Sequence, residues 1–454
     1  MIAATWRIAW RNLWRNRRRN LATLAAIAFG YMGLVLLGGY AVRVEHFLRT
    51  NAVYLQHAGH VAIWQKDGLD RASAEPVAYQ LDPAAQAAIL QWAKGDPRVE
   101  RAGAYLLGVG MAGNACTTQP AMLLGVDPPL LQALLDHPEV KEASPELATT
   151  AQGTWLAAHP EVPTPIAVAA GLQTVLQKPK VLDQTKGQPP APAVLACDTP
   201  AMATQLAADA DIQLIGQTYD GMLSALDGQM VGTFHAPEQT AEDAQIVMPL
   251  AKLRELLATD RASYVALFLH NASDAPAVAA DLGRALQAKG RKVDTYTYTD
   301  ETWSPYYVGT MAFLGSMVGF ITMLVSVVLV FTVAGAMTLT ILERTREIGT
   351  WRALGFERRF VLGLLLREAL LLSLVGLGIG LVLGLVGAAA INAGGFRFAP
   401  PGVAGTIAFL IKPAAWSCAL QAALMPPGVL LATWWVSRSQ LRKSPVTLLT
   451  APTA

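Results

Sequence analysis

Four long apolar stretches of this chain lack any Asp, Glu, Lys or Arg, and they constrain its fold more than any other feature. They are 20–42 (23 residues), 302–342 (41 residues), 369–396 (28 residues) and 413–437 (25 residues). A helix needs about 20 apolar residues to cross the roughly 30 Å of bilayer hydrocarbon, so each is long enough to span. The first follows a basic segment and ends near Gly39-Tyr40-Ala41, which is similar to a signal cleavage site. Its apolar core exceeds the roughly 7–15 residues of a signal peptide, so it reads as a retained anchor. The second stretch would reach about 61 Å as a helix, well beyond the hydrocarbon. Its first turns, from Trp303, are expected to stand clear of the membrane as a stalk, with Pro305 suited to the first helical turn.

Charge is scarce and segregated. Only 15% of the residues are charged, against about 25% in soluble proteins, which argues against a disordered or nucleic-acid-binding chain. Residues 1–20 hold six Arg and no acid, 42–301 hold 18 Lys+Arg and 29 Asp+Glu, and 302–454 hold 11 Lys+Arg and 4 acids. Short loops rich in Lys and Arg stay in the cytoplasm. The expected layout is a cytoplasmic amphipathic basic helix (1–19), a first span (20–42), an extracytoplasmic domain (43–301), a stalk and second span (302–342) and a cytoplasmic loop (343–368). A third span (369–396), a short outer loop (397–412), a fourth span (413–437) and a cytoplasmic tail (438–454) follow. The fold class is thus an α-helical membrane protein: four transmembrane helices, with a large mixed α/β extracytoplasmic domain between the first and second.

Within that domain, 60–64, 121–126 and 264–269 read as strands, and the Ala-rich runs 83–94, 200–208 and 275–289 as helices. Residues 158–192, rich in Pro, Gln and Lys, read as a surface excursion, and no strong internal repeat is visible. Cys418 lies in an apolar run. Cys116 and Cys197 both lie in the outer domain and would pair in an oxidising compartment; two free thiols are the plainer reading.

The usual catalytic patterns are missing. No Gly-Lys pair occurs, so a phosphate-binding GxxxxGK[ST] loop cannot be built, and GxSxG, HExxH and CxxC are absent. His57 and His60 have no Cys or acid beside them to complete a metal site, and none is expected.

The segment ERTREIGTWRALG (343–355) carries more information. Ile348, Trp351 and Leu354 recur every third residue, beside Arg344, Arg346 and Arg352. Glu343 with Arg346, and Arg344 with Glu347, can brace the helix at i,i+3 spacing. Gly349 falls within this helix, and Gly355 can end it in the left-handed conformation. A plain positively charged connection has no need of the apolar ridge, whereas a helix that docks on a cytoplasmic partner explains both features. At the N-terminus, Trp6, Trp10, Leu13 and Trp14 share one helical face and Arg7, Arg11, Arg15 and Arg18 another, as in a helix lying on an anionic membrane surface. The third span spaces Gly376, Gly380 and Gly384 by four, followed by Ala388, a stripe that lets another helix approach closely. The second span carries Phe313, Met317, Phe320 and Leu324 at helical spacing, suited to ordinary packing or to a deformable wall of a substrate cavity.

The segment 343–384, ERTREIGTWRALGFERRFVLGLLLREALLLSLVGLGIGLVLG, resembles the hallmark of the FtsX/MacB-type (type VII) ABC transporter permeases. Residues 6–29 resemble the family's basic approach to its first span, and 444–449 its terminal Pro-x-x-x-Leu motif. Residues 125–128 and 221–234 are loosely similar to segments of its outer domain. Cys197 stands where the family often has a glycine.

The resemblance implies one span before and three after a periplasmic domain of two parts. By position these are a porter-like part (43–115 and 236–301) and a β-rich inserted part (116–235). It implies a multi-pass protein of the bacterial inner membrane that works with a cytoplasmic ABC ATPase subunit and a second permease copy or paralogue. ATP and Mg would be bound by the ATPase, with no cofactor in this chain, which is not expected to be an enzyme. The lipid membrane is a further partner, a periplasmic protein another, and nucleic acid none. The layout is closest to the lipoprotein-release (LolC/LolE-like) branch, which implies a lipidated or hydrophobic substrate at the periplasmic face. The alternatives are an FtsX-like mechanotransmitter activating a cell-wall hydrolase, or MacB-like efflux with an adaptor.

Overall fold

The computed structural model describes residues 6–7, 10–11, 17–114, 116–185, 197, 208–398 and 406–441. In chain order its larger elements begin with helix α1 (Arg17–Thr50), strand β1 (Val61–Gln65), helix α2 (Pro83–Gly95), β2 (Val99–Gly113) and β3 (Thr118–Val126). Strands β4 (Thr150–Gly153), β5 (Pro165–Ala169), β6 (Asp211–Gln217), β7 (Leu223–Phe234) and β8 (Gln245–Pro249) follow. Then come α3 (Leu250–Leu257), β9 (Tyr264–Leu269), α4 (Ala275–Ala288) and β10 (Val293–Thr297). The chain continues with α5 (Pro305–Glu343), α6 (Thr345–Ala353), α7 (Arg358–Ala393) and α8 (Ala415–Leu441). It divides into two units, one of residues 46–310 with 397–407, the other of 1–45, 311–396 and 408–454.

The first unit has two lobes that share β2. In one lobe the strands run in the order β10-β1-β9-β2, all antiparallel, with β2 contributing Val99 to Tyr105. Helices α2 and α4 cover this sheet, and Val61, Ile63, Ile89, Val265, Leu267, Val278 and Leu282 form its core. Helix α2 starts at Pro83 because Asp82 caps it, accepting the Ala85 amide proton at 2.6 Å. Beyond Tyr105, β2 turns to other partners: β3 pairs with Leu106 to Gly113 and β6 with Gly110 to Gly113. From there β3 pairs with β8, β8 with β5, β5 with β7 and β7 with β6, which closes a ring of six strands. Strand alternation points Leu106 and Ala112 into its core and leaves Leu107, Val109 and Met111 exposed. Helix α3 packs against β2, β3, β6, β7 and β8, burying Leu253, Leu256 and Leu257.

This arrangement corrects the expected division at 115/116 and 235/236. The ring core takes in Leu106 and Ala112 before the first boundary, and Ile246, Met248, Leu253, Leu256 and Leu257 after the second. Strand β2, at 15 residues, is long enough to serve both lobes. The expected surface excursion at 158–192 is corrected over 158–185, its remaining residues lying outside the described ones. All five residues of β5 are buried, and Leu172, Leu176 and Val181 have no exposed surface. Pro and Lys flank the apolar run without preventing its burial. Cys116 and Cys197 form a disulfide, against the plainer free-thiol reading. The bridge closes a long loop, worth about 4 kcal/mol in the chain-entropy account. The strand readings at 60–64, 121–126 and 264–269 and the helices at 83–94 and 275–289 agree with the structure; most of the helix expected at 200–208 lies outside the described residues.

The second unit holds the long helices, four of which are apolar enough to cross a membrane (Asn20–Leu55, Pro305–Glu343, Arg358–Ala393 and Ala415–Arg438). Each differs from its expected boundary. Helix α1 runs on past residue 42 to Thr50, α5 starts at Pro305, α7 starts eleven residues before Ala369, and α8 continues to Leu441. Charged residues end an apolar stretch without ending a helix. Helix α1 is the hub of the bundle, with Tyr31, Leu34 and Val35 buried among Leu329, Leu377 and Met425. The Tyr31 hydroxyl also donates to the Cys418 carbonyl at 2.8 Å.

Candidate functional site

The basic segment after α5 folds into a compact structure rather than a loop. Helix α6 covers Thr345–Ala353 and ends at Gly355, whose φ of +91° only glycine adopts readily. The Phe356 amide donates back to the Trp351 carbonyl at 3.0 Å, as in a Schellman motif. Helix α7 begins three residues after that turn, at Arg358.

The ridge expected to dock on a partner is divided by this geometry. Ile348 is buried in its own chain among Ile341, Val361 and Leu365, with Trp351 half-buried against the same cluster. Leu354 is 72% exposed and Phe356 44%. Gly349 is buried, whereas Glu343, Arg346, Glu347, Thr350 and Gly355 are exposed, and Arg352 lies on the helix backbone. Three-residue spacing puts side chains on one stripe but does not say which body the stripe faces. Ile348 therefore fixes the helix to its own chain, and Leu354 and Phe356 form the accessible tip. Phe356 escaped the sequence reading because it lies beyond the helix end.

Arg344 also has another partner than expected. Its Nη1 donates to the Glu368 carboxylate oxygens at 3.2 and 3.3 Å, and both side chains are buried. This ion pair ties the end of α5 to α7. Its residues are 24 positions apart, so no local pattern could reveal it.

The glycine stripe of α7 faces α1. A Cβ on Gly376 would lie 2.7 Å from Ile27 Cγ2, one on Gly380 2.6 Å from the Ala28 carbonyl oxygen, and one on Gly384 2.8 Å from Val35 Cγ1. At Gly380 the obstacle is backbone and cannot swing away. Gly380→Val is expected to lower the detergent-solubilised protein's stability by about 1–3 kcal/mol. Gly378→Ala, with nothing within 4 Å of the new Cβ, should leave the melting temperature nearly unchanged.

The expected cavity wall on α5 faces outward. Phe313 is 70% exposed and Phe320 66%, with Met317 half-buried, so they enclose no cavity within this unit. Only 11% of the most apolar part of α5 is buried, against 39% for α1 and α7. A stripe of large apolar side chains says that a face is dry; lipid satisfies it as well as protein does. At the N-terminus, Trp6, Arg7, Trp10 and Arg11 are helical and exposed. Trp14, Arg15 and the terminal Pro-x-x-x-Leu lie outside the described residues, and Arg18 is placed only as part of the α1 backbone.

In the first unit a cavity of about 520 Å³ opens between the two lobes. Trp64, Trp303, Leu107 and Val109 line it together with Gln80, Tyr219 and Ser263. The polar groups hold one another: the Tyr219 hydroxyl donates to Gln80 Oε1 at 2.9 Å, and Ser263 Oγ accepts from the Leu107 amide at 2.9 Å. Tyr264 stacks on Trp64 at 5.2 Å and on Tyr105 at 5.2 Å, so the Trp64 wall is backed by a buried aromatic ladder. Exposed Met111, Met122, Met222 and Leu223 extend this apolar surface over β2, β3 and the β6–β7 turn. It is not visible in the sequence because its residues come from widely separated segments.

His57 and His60 are buried near this ladder. Burial holds His57 down to about 4 from its ordinary 6.5. Burial, aided by the charges of Arg49 and His137, holds His60 down to about 3. Unfolded, both would take protons near pH 6.5, while the folded protein refuses them until far lower pH. Stability is thus undiminished above pH 6.5 and falls as pH drops from 6.5 towards 4 and 3. Across that window each neutral histidine costs about 1.4 kcal/mol for every pH unit crossed. The melting temperature is expected to fall with it. His57→Asn, which tolerates the left-handed backbone at position 57 (φ 60°), should flatten the fall.

Residues 316–446 match the family model of the FtsX-like permease C-terminal domain, which takes in α6, the glycine stripe and the Arg344–Glu368 pair. No curated protein sequence matches the chain. Among solved structures, the chain is similar to the extracellular domain of the noncanonic ABC-type transporter YknZ from Gram-positive bacteria, at 11% identity and a TM-score of 0.30, covering 52% of this chain and 100% of that one. It is also similar to the periplasmic region of MacB from Actinobacillus actinomycetemcomitans, at 7% identity and a TM-score of 0.32, covering 54% of this chain and 94% of that one.

Proposed function

We propose that this chain is the membrane subunit of an ATP-driven ABC system in the bacterial inner membrane, acting on a lipidated or otherwise hydrophobic substrate at the outer face. The observation that carries the proposal is the α6 turn. It is a short helix anchored by Ile348 and braced beside it by Arg344 and Glu368, and it holds Leu354, Gly355 and Phe356 out into solvent. It lies in the segment matched by the permease family model. A rigid apolar tip of this kind can exchange mechanical work with a separate ATPase, whereas a flexible loop would dissipate it. ATP and Mg belong to that ATPase, and a second permease copy or paralogue completes the assembly.

The hydrophobic character of the substrate is supported by the aromatic cavity between the outer lobes and by the exposed methionines beside it, since Met adapts to varied apolar shapes. Lipoprotein release is the reading these surfaces favour.

The test is purification of the full chain from its native membrane, followed by mass spectrometry of bound proteins and lipids. An ABC ATPase and a lipidated species are expected. Purification without any ATPase would overturn the permease reading; an ATPase with a hydrolase or an adaptor in place of a lipidated species would overturn lipoprotein release alone. A cysteine at Thr350, exposed on α6, should be labelled only after the cells are permeabilised. Labelling on intact cells would reverse the orientation.

A further inference from the structure

The basic end of the helical unit carries a second feature that coupling does not use. Helices α7 and α8 pack against each other but part to leave an open groove of about 550 Å³. Its walls are Gly363, Leu366, Arg367 and Leu370 on α7, and Leu430, Leu431 and Trp434 on α8. On α7 these positions follow the i, i+3, i+4, i+7 rule for one helical face. The groove is apolar except at one end. There Arg367 lies across Gly363, its Nη1 3.2 Å from where a glycine Cβ would sit. Glu368, the next residue, is committed to Arg344, and among the described residues Arg367 has no ion pair or hydrogen bond. Arg438, one further turn along α8, stacks its guanidinium over the Trp434 ring at 4.9 Å.

A cation without a partner at the edge of a lipid-facing groove is costly unless an anion meets it. Arg367 lies in the third turn of α7 and Arg438 in the last turn of α8, towards the basic segments that the positive-inside rule keeps in the cytoplasm. We infer that this groove is a binding site for an anionic phospholipid of the cytoplasmic leaflet. The phosphate is held by Arg367 and Arg438, and an acyl chain lies along Leu366, Leu370, Leu430 and Leu431. Charge complementarity selects this occupant: a zwitterionic lipid would gain the apolar contacts but less from the two guanidinium groups, and basic pockets between spanning helices hold anionic headgroups. The inference rests on the permease reading for the leaflet that the basic end faces.

The test uses the full chain, equilibrated with mixed vesicles of equal phosphatidylglycerol and phosphatidylcholine and analysed by native mass spectrometry. The wild-type protein should retain phosphatidylglycerol preferentially. Arg367→Gln and Arg438→Gln should each weaken that preference about fivefold, and Arg367→Lys should keep most of it, which separates loss of charge from loss of fold. Leu431→Trp, which fills the groove, should reduce retention of both lipids. Equal retention of the two lipids by the wild type, or an unchanged preference in the double glutamine variant, would overturn the inference. So would a cysteine at position 431 that cross-links to its counterpart in a second copy, because the groove would then be covered by protein. ATPase copurification is scored on the same samples: a bound ATPase without lipid preference overturns only this site, and lipid preference without an ATPase overturns only the permease reading.

Discussion

Glu368→Leu is expected to destabilise the detergent-solubilised protein by about 3–5 kcal/mol, the usual result of stripping one partner from a buried ion pair. The Glu368 and Arg344 side chains are 7% and 9% exposed, so the variant leaves a guanidinium with neither water nor carboxylate to meet it. The double variant Arg344→Met/Glu368→Leu should recover most of that loss, since apolar residues of similar volume often replace a buried pair at little cost. Thermal unfolding of the two variants beside the wild type decides the matter. If the single variant melts like the wild type, the pair contributes nothing, and α5 is joined to α7 by apolar packing alone.

Leu354→Glu should do the reverse, leaving stability intact and removing function. The side chain is 72% exposed, so nothing inside the chain depends on it, while a carboxylate at the tip of the turn would have to be buried in any partner groove. Loss of an apolar anchor commonly costs about 2 kcal/mol or more at an interface, roughly thirtyfold in affinity, and substrate-dependent ATPase activity in reconstituted membranes should fall accordingly. Ile348→Ala offers the contrast. It empties a site inside the chain's own cluster and should cost about 2–5 kcal/mol of stability, with any coupling defect following from that. Wild-type ATPase binding and full activity in the Leu354→Glu variant would show that the tip is not the contact.

Features that depend on neighbours along the chain were legible in the sequence. Apolar length marked the four long helices, glycine chemistry marked the turn at Gly355, and small residues at four-residue spacing marked the face of α7 that meets α1. The strand at 264–269 declared itself as a continuous apolar run. Relations between distant residues stayed hidden. The period that aligned Ile348 with Leu354 could not tell a side chain turned to its own chain from one turned to solvent. The i,i+3 rule pairs Arg344 with Glu347, because the competing carboxylate, Glu368, lies far along the sequence. The buried strand β5 was masked by its Pro- and Lys-rich surroundings, and the division of the outer unit was misplaced because one long strand belongs to both lobes. The Cys116–Cys197 bridge likewise depends on proximity that spacing does not encode.

The closed circuit of strands in the first unit restricts how other chains can bind there. Every strand in it has hydrogen-bonded neighbours on both sides, so that lobe offers little template for an incoming peptide to extend. In the ten-stranded sheet, the outer flanks of β10, at the far side of the other lobe, and of β4, only four residues long, remain for such pairing. A visitor to the ring must therefore be recognised by its side chains or acyl groups rather than by its backbone. The same closure leaves the lobe little edge along which to polymerise with its own copies.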